Sequence, residues 1–182
     1  MRGMWRAALL VVAACGARVD GGVVDGAGSD TPPPPPIDAP PPDARPCTGG
    51  DAAMTAPDGS CFVLFTTPSP HDQAVAGCQA LGGHLALLEN AALDAAAEAF
   101  VGTNDTFIGL DDLDTEATFV WDDGAPLVFQ NFALNEPNNG SGSYEEDCAI
   151  IAGARPTKQW DDRPCDPAAL PTAGLYAYLC QF

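Results

Sequence analysis

The sequence predicts an α+β domain stapled by disulfides, occupying residues 47–182 of a 182-residue chain. Three observations carry this prediction. Two apolar repeats of helical period lie early in that region, only short β-type runs follow them, and six of the chain's seven cysteines fall within it. That length suffices for one hydrophobic core with help from cross-links.

The first helix is read from Ser69-Pro70, taken as N-cap and first helical position, with Ala74, Val75, Cys78 and Leu81 recurring on one face before Gly82. The second starts after Asn90, carries Leu93, Ala96, Ala97 and Phe100 on one side, and stops at Gly102. Beyond it the β-type runs are Thr106 to Leu110, Thr118 to Trp121, Cys148 to Ile151 and Leu175 to Leu179, separated by Gly, Pro, Asn and Asp. From Asp122 to Asp147 there is little regular pattern, and loops of that length in a compact domain are usually functional.

Charge narrows the function classes. With 7 Lys+Arg against 25 Asp+Glu the formal charge is -18, the wrong sign for neutralising phosphates, so nucleic-acid binding is excluded. The same carboxylates suit a hard divalent cation, which takes oxygen ligands, and calcium fits best. Seven cysteines without a CxxC pair point to an oxidising compartment rather than a zinc ribbon.

The N-terminus agrees with export. Arg2 and Arg6 precede or flank an apolar run from Ala7 to Ala14 that is too short to span a bilayer but suits a secretory signal. Val12-Ala13-Ala14-Cys15 resembles a bacterial lipobox, which makes residues 1–15 a signal peptide and Cys15 the lipidated new N-terminus. Residues 16–46 are mostly Gly, Ala, Asp and Val, followed by PPPPPIDAPPPDA and then Arg45-Pro46. Such a segment buries almost no apolar surface and favours an extended polyproline helix, so it reads as a disordered, Pro-rich linker acting as a stalk. The expected location is outside the cytoplasm, lipid-anchored at the bacterial cell envelope or surface.

Acids cluster at Asp111, Asp112, Asp114 and Glu116, at Glu136, at Glu145, Glu146 and Asp147, and at Asp161 and Asp162. If loops bring them together, each close pair repels by about 1 kcal/mol at 4 Å in water and several times that where partly buried. Lys158 and Arg163 are the only nearby bases in the sequence, so an ion with roughly six to eight oxygen ligands is the economical counter-charge.

In order along the chain, Cys78, GGHLALLE (82–89), FIGLDDLDTEATFVWDDG (107–124), EPN (136–138), EEDC (145–148), WDD (160–162), Cys165 and LCQF (179–182) resemble a C-type lectin domain. The resemblance covers essentially all of residues 47–182. It implies two helices, small antiparallel sheets and a long loop region bearing the ligand site. It also implies the pairs Cys78–Cys180, Cys148–Cys165 and, in the longer form of the domain, Cys47–Cys61; spacing alone leaves all fifteen connectivities of six cysteines open.

Carried over residue by residue, the resemblance implies one calcium held by Glu136, Asn138, Glu146, Asp161 and Asp162, with two positions left for vicinal sugar hydroxyls. The same five residues are the expected carbohydrate contacts. EPN is the pattern associated with mannose-type sugars, and Pro137 is expected to follow a cis bond. An auxiliary calcium site would map to Asp112, Glu116, Glu146 and Asp147. One departure stands out: the family has Trp-Asn-Asp where residues 160–162 are Trp-Asp-Asp. Asp161 can ligate calcium but cannot donate a hydrogen bond, so altered or weakened monosaccharide selectivity is expected.

Other residues have plainer readings. Trp121 and Trp160 are expected in the core and as loop anchors, and His84 as a structural residue. With only His71 and His84 available and no nucleophile motif, catalysis is not expected. The expected function is calcium-dependent carbohydrate binding by an exported lipoprotein. The rival is a lectin-like adhesin or assembly module that binds protein without sugar, and Phe132, where the family usually shows Trp, keeps it open. Oligomerisation is possible, since clustered weak sites gain avidity.

Overall fold

A computed structural model describes residues 45–140, 144–165 and 174–182. The expected signal peptide, Cys15 and the expected linker up to residue 44 lie outside the described residues. Residues Ala44–Phe182 form one compact unit. Among the described residues no helix is long and apolar enough to cross a membrane.

The elements are β1 (Ala52–Thr55), β2 (Cys61–Ser69), α1 (His71–Ala80), β3 (His84–Leu85), α2 (Ala91–Val101), β4 (Asp105–Asp111), β5 (Val120–Trp121), β6 (Cys148–Ala152), β7 (Trp160–Arg163) and β8 (Tyr176–Gln181). The strands join in the order β1-β2-β8-β4-β6-β7, with β3 on β8 and β5 on β4. All pairs are antiparallel except β4 with β8. Both termini of the domain therefore meet in the sheet, because β2 and β8 pair directly.

Alternation along the strands divides the core in two. On β2, β4, β6 and β8, residues Phe62, Leu64, Ile108, Leu110, Ala149, Ile151, Ala177 and Leu179 join the cluster containing Leu93, Ala97 and Val101 of α2. Their neighbours Cys61, Val63, Phe107, Cys148, Ile150 and Cys180 join the cluster containing Ala74 and Cys78 of α1. The period of two along a strand puts successive side chains on opposite faces, which is why one sheet can carry a helix on each side.

The predicted helices are found with one shift. Asn90 caps α2, its side chain accepting from the Ala92 and Leu93 amides, and Gly102 ends it at φ 65°. The first helix starts one residue later than read: Pro70 is its cap, without a side-chain cap bond, and Ser69 closes β2 with its hydroxyl donating to the Thr67 carbonyl. The β-type runs read from the sequence left out β1, β2, β3 and β7. Strand β2 runs through Thr66, Thr67 and Pro68, which are exposed and polar or breaking, and β7 is the acid-rich WDDR. Gly109 in β4 is required by close approach, since a Cβ there would lie 2.8 Å from the Leu85 carbonyl oxygen.

The implied disulfides are present: Cys47–Cys61 ties the entry to β2, Cys78–Cys180 ties α1 to β8, and Cys148–Cys165 ties β6 to the end of β7. Trp121 and Trp160 are buried core residues in edge-to-face contact at 5.7 Å. Phe132 packs on Trp160 and on Phe119. His84 has the structural role expected, its Nδ1 lying 2.7 Å from the Leu85 carbonyl oxygen.

Trp160 anchors the functional end. Its Nε1 donates to buried Asp94 of α2 at 2.8 Å, and the other Asp94 oxygen accepts from Asn131 at 2.7 Å. Replacing Asp94 by Ala would leave the buried Trp160 indole without its acceptor and take from half-buried Asn131 one of its two carboxylate acceptors, Glu98 being the other. The expected result is a loss of about 1–3 kcal/mol of unfolding free energy in urea titrations, with a smaller loss for Asp94→Asn.

Candidate functional site

Strand β7 and the long loop build the site together. The Trp160 amide donates to the Asn131 carbonyl at 2.8 Å and the Ala133 amide donates to the Trp160 carbonyl at 2.8 Å, so the loop runs beside the strand. Further along, the Asn138 amide donates to both Asp162 oxygens at 3.1 and 2.9 Å, and the Asn139 amide donates to Asp162 Oδ2 at 2.7 Å. This lattice sets Glu136 opposite the strand, joined to Pro137 by the cis bond that was expected. Carboxylate oxygens of Glu136, Asp161 and Asp162 then lie within 4.8 Å of one another.

The remaining expected ligands surround that trio. Asn138 donates to Glu136 through its side-chain amide and accepts from the Gly140 amide at 2.8 Å. Glu146 is reached by Arg163, with Nη1 3.4 Å from Oε1. Asp161 is fully buried on β7, and its Oδ2 is bonded by Arg163 and, at 2.6 Å, by Arg155. Its Oδ1 is buried with no hydrogen-bond partner.

Burial, with crowding of like charges added to it, governs the titration. Burial, then Asp161 and Asp162, push Glu136 up to about 7. Burial raises Asp161 despite the pull of Arg163 and Arg155, and raises Glu146 despite Arg163. Burial alone would lower Arg163, but Asp161 and Glu146 outweigh it and raise the group.

The auxiliary set is placed differently from the sequence reading. Glu116, Glu145 and Asp147 converge within 4.8 Å, so Glu145 replaces Glu146, whose carboxylate turns to Arg163. Asp112 lies beside them: burial, with Glu116 and Asp147 adding to it, pushes it up to about 6, against the bond from the Ala117 amide. Its Oδ1 is buried and unpartnered. Asn139, which the sequence reading did not assign to the ion site, spans the two sets. Its amide nitrogen donates to Glu116 at 2.7 Å and Glu145 at 2.8 Å, while its oxygen accepts from the Glu146 amide at 2.8 Å. Its place between EPN and the next acid cluster was the only signal available.

The bases also differ from expectation. Lys158 is directed away, its Nζ donating to the Glu98 carbonyl of α2 at 2.7 Å, and Arg155 takes the position beside the acids instead. A cavity of about 620 Å³ opens elsewhere, lined by His71, His84, Asp111, Trp121 and Asp122 among others, and none of the converging Glu136, Asp161 and Asp162 lines it.

The donor set fits a hard cation. All converging atoms are oxygens, most are carboxylate, and each set has a buried oxygen, on Asp161 and on Asp112, that no protein group satisfies. Buried polar atoms in native folds are almost always partnered, so an orphan in an acid cluster is where an ion would bind.

The family model for the Lectin C-type domain matches residues 67–172. The chain belongs to the C-type lectin domain family. Lectin BRA-3 of Megabalanus rosa is 32% identical over 111 residues, a match covering 60% of this chain and 67% of that protein. Two further curated relatives are matched over only 33% and 42% of their own lengths. Among solved structures, the cow C-type carbohydrate-recognition domain of CD23, crystallised in the presence of GlcNAc2Man3 oligosaccharide, has a TM-score of 0.62 at 24% identity, covering 74% of this chain and 95% of that one. A calcium-independent type II antifreeze protein has a TM-score of 0.61 at 23% identity, covering 74% and 94%. These structural likenesses show the fold.

The raised carboxylates give stability a definite pH dependence. A carboxyl whose folded pKa lies above its unfolded value favours the fold when protonated, so that contribution is complete below the unfolded value and is lost as pH rises through the folded one. In chelator, the melting temperature of this lectin domain should therefore fall as pH rises from about 4 toward 7, through the upper values of Glu136 and Asp112. Millimolar calcium should flatten or reverse that slope in the same scans.

Proposed function

We propose that this C-type lectin domain binds carbohydrate through one calcium ion held by Glu136, Asn138, Glu146, Asp161 and Asp162. The observation that carries the reading is the convergence of Glu136, Asp161 and Asp162 within 4.8 Å, one of them with a buried, unpartnered oxygen. Calcium would neutralise these carboxylates and offer open coordination positions to vicinal sugar hydroxyls.

The chain's own residues supply the rest. Carboxylates of Glu136 and Glu146 accept hydroxyl protons, and the Asn138 amide donates to a hydroxyl oxygen. The Asn138 and Asn139 main-chain amides hold Asp162 in place before any ligand arrives. EPN favours a mannose-type sugar, with selectivity altered by Asp161. Support for carbohydrate as the ligand comes from the lectin name of BRA-3 and the oligosaccharide present with the CD23 domain. The acids Asp112, Glu116, Glu145 and Asp147 would hold a second, auxiliary calcium. No catalytic role is assigned.

The wider setting is proposed on sequence grounds. Residues 1–15 direct export, Cys15 carries the lipid, and residues 16–46 form a stalk that displays the domain at a bacterial envelope.

The decisive experiment is a glycan array run with calcium and again with chelator. Calcium-dependent binding to mannose-type glycans is expected; calcium-independent capture of protein without glycan binding would favour the adhesin reading. Glu136→Gln should weaken calcium binding at least tenfold by titration calorimetry and abolish the array signal, because it removes a charged ligand while leaving the amide–carboxylate scaffold around Asp162 intact.

A further inference from the structure

Asp161 has an uneven environment. One oxygen carries two guanidiniums, from Arg155 and Arg163, while the other is buried with no basic or amide donor and has only the Glu136 carboxyl crowding the same group. A carboxylate serving only as a structural ion-pair partner would be expected to use both oxygens, since an unsatisfied buried acceptor is costly. The same Arg163 reaches Glu146 and the Asp162 carbonyl, so it touches three of the five residues assigned to the ion.

Charge counting points the same way. Taken as ionised, Glu136, Glu146, Asp161 and Asp162 carry four negative charges, and Arg155 and Arg163 return two, leaving a deficit equal to one divalent cation. The extra acid in Trp-Asp-Asp is therefore accompanied by bases from two places: the turn after β6, where the Arg155 amide donates to the Ala152 carbonyl, and the end of β7.

We infer that Arg155 and Arg163 are resident counter-cations of this site: they hold Asp161 by Oδ2, present Oδ1 to the metal ion, and lower the site's affinity for that ion. The inference rests on the calcium reading above and adds its regulation. Both arginines are positioning residues. Without the ion they keep four crowded carboxylates compatible with the fold. With the ion they oppose it, because a positive charge a few ångströms from a cation site repels the incoming charge. Arg163 acts more strongly than Arg155, being less exposed and bonded to two of the acids.

The test compares the wild-type chain with Arg163→Gln, Arg155→Gln and Arg163→Lys, using calcium alone as the probe in titration calorimetry and melting scans in chelator and in calcium. Arg163→Gln should bind calcium about tenfold more tightly, about 1.4 kcal/mol, with a smaller gain for Arg155→Gln. Arg163→Lys, which keeps the charge, should stay within a few-fold of wild type. In chelator both Gln variants should melt below wild type, and calcium should raise their melting temperature by more. Equal or weaker calcium binding in the Gln variants, with wild type binding, overturns this inference and leaves the calcium reading standing. Absence of calcium binding in every protein overturns both. Binding in Arg163→Gln alone supports the arginines as the resident cation and overturns calcium binding by the wild-type chain. If Arg163→Gln fails to fold in chelator, Arg155→Gln carries the comparison, and a weaker affinity there overturns the inference.

Discussion

The mutual repulsion of carboxylates fixed on a rigid frame is the constraint to which the functional end of this domain answers. Glu136, Asp161 and Asp162 cannot relax apart: β7 is paired to buried β6, and the loop opposite is stitched to it by main-chain bonds at Trp160, Asn138 and Asn139. Mobile surface acids would separate and be screened. With the acids held here, burial and then the charges of Asp161 and Asp162 raise the proton affinity of Glu136, and the cluster calls for positive charge, which two arginines supply in part.

The frame depends on a polar contact deep in the fold. Asp94, on the inner face of α2, receives the Trp160 indole and the Asn131 amide, one from the strand and one from the loop that together carry the site. Burial raises Asp94, and the two bonds act against that rise. Aromatic packing of Phe129, Phe132 and Trp121 around Trp160 excludes water from this junction, which strengthens the bonds inside it. Core and site thus meet at Trp160, with Asp161 its immediate neighbour on the opposite face of the strand.

Membership of the C-type lectin domain family fixes the architecture without fixing the ligand chemistry, since one of the similar folds is a calcium-independent protein. What distinguishes this chain is local. Asp161 adds a charge where the family pattern has an amide, and Arg155 and Arg163 answer it. The surrounding surface remains strongly acidic, so the arginines are a local exception within a chain of formal charge -18.

The sequence by itself determined the helices, several strands and the acids that matter. Asn90, Gly102 and the apolar repeats act within one or two turns of chain, and the family resemblance of the ordered motifs pointed to Glu136, Asn138, Glu146 and Asp162. Strand β7 was illegible because two of its four residues are acids whose burial comes from pairing with β6 and from a loop some twenty residues away in sequence, tertiary contacts that local propensity does not register. For the same reason only the tertiary structure could separate Glu145 from Glu146, turn Lys158 toward α2 and bring Arg155 to Asp161. Charge acts through space with a reach of a few ångströms, and folding decides which charges share that space.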